Sequence, residues 1–276
     1  MNRVEKFEHL KSLHDREGIF VIANAWNGGS AKILTALGYE ALATTSAGLA
    51  FSLGTRDSAN CLTRDQVLMN AKEIVEATDL PVSGDLEEGF GPSPDDCVMT
   101  VKLACDIGLV GGAIEDATGD SADPIFDFDL AVERIAAAAE EAKKQNFLLT
   151  ARAENFLYGK PDLDDTIKRL AAFEKAGADV LYAPGLPSLD AIREVCSALN
   201  KPVNVVMGLT EPKLTVAQLK EAGVKRISVG GSFARAALGG FMRAAQEVLE
   251  QGTFGYAQEA VPDAVAAGYM ADKKRP

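Results

Sequence analysis

Histidine is nearly missing from this chain. Only His9 and His14 occur among 276 residues, both in Met1–Asp15, which has the pattern of a charged amphipathic helix. Histidine acid–base chemistry and a histidine-rich metal centre are thereby disfavoured. The four cysteines, Cys61, Cys97, Cys105 and Cys196, have neither zinc-finger nor redox-pair spacing, so reduced and mostly buried thiols of a cytoplasmic protein are expected. No apolar run approaches the roughly 18–20 residues of a membrane span. Met1–Asp15 also lacks the apolar core and small-residue cleavage site of a signal peptide. Positive charge is scarce: 28 Lys and Arg stand against 40 Asp and Glu, a net charge of -12, which argues against nucleic acid or an anionic membrane as partner. No glycine-rich dinucleotide fingerprint follows the first β-like run. No β-like run carries an inward-placed lysine, and Lys225 precedes its run, which counts against a Schiff-base aldolase.

What the chain does have is alternation. Eight short runs of β-branched and small apolar residues each give way to a loop and a helical pattern: Ile19–Trp26, Ala41–Ala47, Pro81–Glu87, Val110–Asp116, Phe147–Glu154, Val180–Pro184, Pro202–Met207 and Arg226–Gly231. Such units imply parallel pairing and predict an α/β fold, a closed (β/α)₈ (TIM) barrel with an extra N-terminal helix. The 47% hydrophobic content is enough to fill one barrel domain spanning residues 1–276. Helical spacing covers Thr63–Ala77, Ser93–Ile107, Phe128–Gln145, Asp162–Ala176, Ser188–Leu199, Thr215–Ala222 and Ser232–Gln251, with Ser93, Ser188, Thr215 and Ser232 placed as N-caps. Residues 232–276 form a C-terminal helical region with a basic end, expected to pack on the barrel or on a neighbouring subunit.

In a barrel of this kind the site lies where strands end, and the ends here are polar: Thr45 and Ser46, Asp85 and Glu87, Glu115, Arg152 and Glu154, then Asn204. Residues i and i+2 of a strand share a face, so Asp85 and Glu87 are expected to point together, with Glu88 elsewhere. Paired carboxylates repel unless a cation or proton compensates them, which suggests Mg²⁺ or Mn²⁺ on oxygen ligands. Glu115 is a third candidate ligand, favoured over Asp116 as the inward member of its pair. Arg152 can grip a carboxylate in bidentate fashion, which makes an organic acid the natural ligand, with Glu154 orienting it. Thr44–Gly48 can present N–H groups to an oxyanion. Ser228–Ser232 reads either as an anion site or, preferably, as a tight turn. The structural alternative for the whole group is a set of loop-capping carboxylates paired to Arg152.

With these residues in view, the chain resembles the isocitrate lyase/phosphoenolpyruvate mutase superfamily over nearly its whole length. The matching stretches are Asn24-Ala25-Trp26-Asn27 with Ser30-Ala31, Thr44–Gly48, Gly84-Asp85 with Gly89-Phe90-Gly91, Ile114-Glu115-Asp116, Ala151-Arg152-Ala153-Glu154 and Ala176-Gly177-Ala178-Asp179, supported by the Asn204 run. The resemblance implies homodimers or homotetramers that exchange the last barrel helix. It implies Mg²⁺ held directly by Asp85, with Glu87 and Glu115 acting largely through water and Asp57 supporting the water shell. Ser46 and Ala47, with Gly48, Thr45 and Trp26 close by, bind substrate on this view, as do Asn204 and Glu154, and Arg152 polarises it. Members make or break C–C or P–C bonds beside a 2-oxo acid through a pyruvate-type enolate.

Two departures bear on the activity. The family usually has aspartate where this chain has Glu87. Lyases of the family carry a Lys-Arg-Cys-Gly-His segment after the Glu115-Asp116 position, and mutases a lid with lysine and asparagine. Here Ala117–Asp127 has no cysteine, lysine, arginine or asparagine. The expectation is a Mg²⁺-dependent C–C lyase acting on a small 2-oxo acid, in the manner of an oxaloacetate decarboxylase, because CO₂ leaves without a general acid. A mutase or phosphonopyruvate hydrolase, borrowing a cation such as Lys160, is the alternative enzyme. A non-catalytic oxo-acid-binding barrel is the alternative outside catalysis.

Overall fold

The structure, a computed structural model, describes residues 1–57, 61–208 and 211–271. Eight parallel strands close into one barrel in sequence order, each shorter than its run. They are β1 (Phe20–Asn24), β2 (Leu42–Ala43), β3 (Val82–Asp85), β4 (Gly111–Glu115), β5 (Leu148–Arg152), β6 (Val180–Tyr182), β7 (Val203–Val206) and β8 (Arg226–Ser228). Closure comes from β8 pairing back onto β1, with Phe20 opposite Arg226. The polar ends of the runs leave the ladder and become loops, which is where a barrel places its chemistry.

The helices that flank the strands are α1 (Arg3–Asp15), α2 (Gly28–Ala36), α3 (Ser46–Ser52), α4 (Arg64–Glu76), α5 (Pro94–Asp106), α6 (Phe128–Gln145), α7 (Leu163–Ala176), α8 (Leu189–Ala198), α9 (Val216–Glu221), α10 (Ser232–Gln251) and α11 (Asp263–Met270). Ser93, Ser188 and Thr215 each accept a backbone N–H three residues on, as their sequence positions predict. Ser232 does not: it is the first residue of α10, Gly231 holds the cap position, and the end has no side-chain cap. The preceding turn is tied down another way, because Val229 and Gly230 donate their N–H groups to Asn24 Oδ1 at 2.9 Å each. That bond consumes the donors an anion would have needed. Helices α2 and α3 escape the periodicity because they are short and begin in Gly- or Ser-rich sequence. Asn27 and Ser30 form a capping box on the first, and Thr45 caps the second.

Apolar side chains fill the layer between strands and helices, with Leu42, Ile74, Ile114, Leu149, Leu170 and Phe173 almost wholly buried. A second cluster, in which α1 buries Leu10 and Leu13 beside Phe20 and Ile22, lies against the strands at their N-terminal ends. Inside the barrel one row is polar, beside inward-facing apolar residues such as Phe20 and Ile22. Following the register from β4 to β8, the opposed residues run Glu115, Arg152, Tyr182, Asn204, Arg226. Strands tilt in a closed barrel, so an in-register row descends from the mouth toward the floor. Arg226 ends that row, donating to Asn204 Oδ1 at 2.7 Å and Thr150 Oγ1 at 3.0 Å. Among the described residues no helix is long and apolar enough to cross a membrane.

The C-terminal region follows two courses. α11 lies against α2, where Lys32 Nζ donates to Met270 O at 2.9 Å. α10 buries only Ala234 and leaves Phe241, Met242 and Leu249 exposed at 69%, 56% and 85%. The basic end of the tail lies outside the described residues.

His14 sits beneath Arg226, with Nδ1 at 2.8 Å from Leu10 O and Nε2 at 3.4 Å from Arg226 Nη1. Burial, reinforced by the Arg226 charge, lowers its pKa from 6.5 to about 3. The unfolded chain therefore takes up a proton below about pH 6.5 that the folded chain refuses, and stability falls as pH falls, by up to about 1.4 kcal/mol per pH unit from this group. Urea unfolding of His14→Met and the parent at pH 7 and pH 5 should show their stability gap narrowing by about 1 kcal/mol or more at the lower pH. A gap independent of pH refutes a buried neutral imidazole.

Candidate active site

A cavity of about 410 Å³ opens where the strands end, lined by Thr45, Ser46, Ala47, Asp57, Asp85, Glu87, Glu115, Arg152 and Glu154 from the predicted set. At its centre is Arg152, the last residue of β5. Its Nε binds Glu154 Oε1 at 2.8 Å, Nη1 lies 3.1 Å from Asp85 Oδ1, and Nη2 lies 2.9 Å from Glu115 Oε2. One guanidinium thus joins carboxylates from three loop or strand ends, and its face lies 5.1 Å from the Tyr182 ring centre. Glu154 is 1% exposed. The choice between Glu115 and Asp116 resolves as the alternation requires: Asp116 turns away, accepting from Glu154 N at 2.8 Å and pairing with Arg169 at 3.1 Å.

Asp85 and Glu87 reach the same cavity by a route other than strand alternation. β3 ends at Asp85, and Glu87 adopts a left-handed backbone, φ 50°, in the following turn. Asp85 Oδ2 accepts the Ser46 N–H at 3.0 Å, and its own N–H donates to Thr44 Oγ1 at 2.8 Å. Ser46 Oγ donates to Asp57 Oδ1 at 3.3 Å. The Thr44–Gly48 turn is therefore the start of α3, and its Ser46 amide is bonded to the carboxylate cluster.

Six carboxylates, Glu211 included, line the cavity against two guanidiniums, Arg152 and Arg235. The surplus shows in the titration of the group. Burial, then the charge of Asp85, pushes Glu87 up to about 8. Burial also raises Glu115, Glu154 and Asp57, the last with help from Asp85. Such a cluster is short of positive charge, and its donors are all oxygen, which suits a hard cation. Among the described residues no three carboxylate, imidazole or thiolate side chains are grouped to ligate one ion directly. The residues fit Mg²⁺ held by few carboxylates and otherwise by water, the coordination that ion prefers.

Three predicted residues lie elsewhere. Asn204 is a correction: it is 1% exposed, does not line the cavity, and donates to Ser228 Oγ at 3.0 Å while accepting from Arg226. The descending register carries it below the mouth. Trp26 and Gly48 face a separate cleft of about 210 Å³ beside Ala234 and Phe241. Gly48 is a packing residue there, since a Cβ on it would lie 2.6 Å from Trp26 Cβ. Thr45 does reach the cavity, with its hydroxyl accepting from Gly48 N at 3.4 Å as the α3 cap.

Sequence reasoning missed Tyr158, Tyr182 and Arg235, all of which line the cavity. Arg235 carries a readable signal, a cation in the first turn of α10 where the helix dipole disfavours it. Tyr158, six residues after Arg152, has its phenol pKa raised by burial and by Glu115 and Glu154. Residues 117–127 contribute nothing to the lining. They close on themselves through an Ala117–Ile125 bridge and Thr118 N to Pro124 O at 3.0 Å, and Asp123 engages Lys160 at 3.7 Å.

This geometry agrees with the comparisons to known proteins. A protein of Burkholderia cenocepacia J2315, provisionally described as a lyase/mutase, superposes with a TM-score of 0.95 at 50% identity, covering 98% of this chain and 97% of its own. The 2-methylisocitrate lyase of Escherichia coli K12 is 28% identical over 218 residues, 76% of this chain and 73% of that protein. The oxaloacetate decarboxylase of Paraburkholderia xenovorans LB400 is 26% identical over 227 residues, 80% and 75% of the two chains. A sequence profile for phosphoenolpyruvate phosphomutase matches residues 10–249. The chain is an enzyme belonging to the phosphoenolpyruvate phosphomutase family, within the isocitrate lyase/phosphoenolpyruvate mutase superfamily of lyases and mutases.

Proposed function

We propose that the chain is a Mg²⁺-dependent lyase that breaks the C3–C4 bond, one carbon removed from the oxo group, of a small 2-oxo dicarboxylate, with oxaloacetate the simplest substrate. The observation that carries this reading is the Arg152 hub: one partly buried guanidinium shared by Asp85, Glu115 and Glu154, with Asp85 also held by the Ser46 amide. Mg²⁺ held by Asp85, with Glu87, Glu115 and Asp57 on its water, would act as a Lewis acid on the substrate's carboxylate and oxo oxygens.

The protein groups have separable tasks. The amide of Ala47, next to the Ser46 N–H that Asp85 engages, binds the 2-oxo acid's carboxylate. Arg152 keeps a fixed positive charge beside the oxo oxygen as the C3–C4 electron pair moves into the enolate and CO₂ departs. Glu154 fixes the direction of Arg152 through the Nε bond. Tyr158, held neutral by its surroundings, can return a proton to C3, which completes pyruvate. Arg235 offers the second carboxylate a cation at the cavity wall.

Phosphoryl chemistry is less well supported. The cation it would need from a lid is absent from residues 117–127, and Lys160 lies outside the cavity lining, paired to Asp123. The exposed apolar face of α10 supports a further part of the proposal: a second copy of this chain covers it. A 20-residue helix that buries one residue against its own barrel leaves Phe241, Met242 and Leu249 on the surface, and large exposed apolar side chains on one element mark a contact face.

Incubation with Mg²⁺ and oxaloacetate, phosphonopyruvate or 2-methylisocitrate, followed by assay of pyruvate, tests the activity. Oxaloacetate should be consumed fastest, and Asp85→Ala should lower kcat/KM by on the order of a thousandfold, the worth of a few kcal/mol of charge stabilisation. Chelator should do the same to the parent. Turnover that survives both treatments sinks the metal assignment, and preference for phosphonopyruvate sinks the C–C reading. Light scattering should give a dimer or larger for the parent and a monomer for Phe241→Glu combined with Leu249→Glu. A monomeric parent removes the second-copy proposal.

A further inference from the structure

The turn that carries Glu87 is held from outside the barrel in an unusual way. Three of its residues are left-handed: Glu87 at φ 50°, Gly89 at φ 91° and Phe90 at φ 60°. Glycine tolerates this conformation, whereas glutamate and phenylalanine adopt it only when their surroundings insist. Here the surroundings are side chains from three successive helices, which between them bind four consecutive carbonyls. From α6, Arg134 donates through Nη1 to Gly91 O at 2.6 Å and through Nη2 to Glu88 O. From α4, Arg64 Nη2 donates to Phe90 O at 3.1 Å and Gly89 O at 3.3 Å. From α5, Thr100 Oγ1 donates to Gly89 O at 2.7 Å.

Arg134 is the unexpected member. It is 1% exposed, and its guanidinium lies 4.1 Å from the Phe126 ring centre. Among the described residues its partners are that ring and the two carbonyls; no carboxylate is bonded to it. Burying a cation that no carboxylate bonds is costly: burial lowers its pKa, and the more distant charges of Cys97, Glu88, Asp96 and Asp116 offset this only in part. A methionine or leucine would fill the space without that cost, so the charge must be used on the turn. Phe126 belongs to the segment after β4, so the same guanidinium also braces the base of the 117–127 loop.

We infer that Arg134, assisted by Arg64, is a positioning residue: by gripping the carbonyls of residues 88–91 it keeps Glu87 in the left-handed turn that delivers its carboxylate to the cation site. Glutamate has one more rotatable bond than aspartate, so the backbone beneath it must be held more firmly to place the carboxylate. The inference rests on the metal reading proposed above.

The test is a double-mutant cycle on Mn²⁺ affinity, read by the loss of the free-ion electron paramagnetic resonance signal. The four proteins are the parent, Arg134→Lys, Glu87→Gln and the double variant, with circular dichroism confirming the fold of each. Lysine keeps the charge but replaces the planar fork, whose two nitrogens reach separate carbonyls, with a single ammonium nitrogen. Arg134→Lys should weaken Mn²⁺ binding roughly ten- to a hundred-fold, the range seen when a residue supporting a metal site is removed. In the Glu87→Gln background the same change should cost less than about twofold, because its route of action is already gone. Equal losses in both backgrounds, or none in the parent background, overturn the inference. If the parent and Asp85→Ala bind Mn²⁺ equally, the metal reading fails and takes the inference with it. If Arg134→Lys does not fold, Arg64→Lys takes its place in the cycle with the same two outcomes.

Discussion

The Arg152 guanidinium holds the mouth of this barrel together. It meets three carboxylates that would otherwise repel one another across strand ends; Glu115 and Glu154 are buried, while Asp85 keeps a partly exposed edge toward the cavity. An isolated buried charge is expensive, and a buried charge joined to several partners is tolerable. Removing the arginine would leave an uncompensated anionic cluster, whereas removing one acid leaves two others in place. The same hub makes the cavity receptive to a second cation, because one positive charge does not balance what surrounds it. Cohesion and reactivity thus draw on a single electrostatic imbalance.

The fold was legible because it rests on repeating, local signals. Eight β-like runs separated by capped amphipathic helices leave few topologies, and all eight strands form in sequence order. Strand ends were harder: Glu87 lands in the cavity through a left-handed turn that no alternation rule describes. Asn204 was misplaced because the tilt of a closed barrel depends on all eight strands at once, and nothing within Pro202–Met207 records how far down the row it sits. Trp26 and Gly48 were misplaced because the sequence neighbours of a site residue can face behind it. Their contacts belong to a helix, α10, almost two hundred residues further along the chain.

Charge is also distributed by depth. The mouth is rich in acids, while the floor holds Arg226 and a neutral His14 with hydroxyl and amide partners. Tyr182 stands between the two levels, opposed to Arg152 on one side and Asn204 on the other. The row is therefore a polar column closed below by Leu10 and Leu13 of α1 with Phe20 and Ile22 of β1, and its rigidity comes from satisfied hydrogen bonds as much as from packing.

The 117–127 loop satisfies much of its own hydrogen bonding, with the Ala117–Ile125 bridge at its neck and Asp116 O receiving Phe126 N just below. A segment closed at its base in this way behaves as a cassette. Replacing what lies beyond the neck leaves the ends of β4 and α6 where they are, so a loop bearing cationic or thiol groups can be grafted without rebuilding the barrel. Divergence within such a scaffold can then proceed by exchanging one short insert, while the electrostatic floor beneath it stays unaltered.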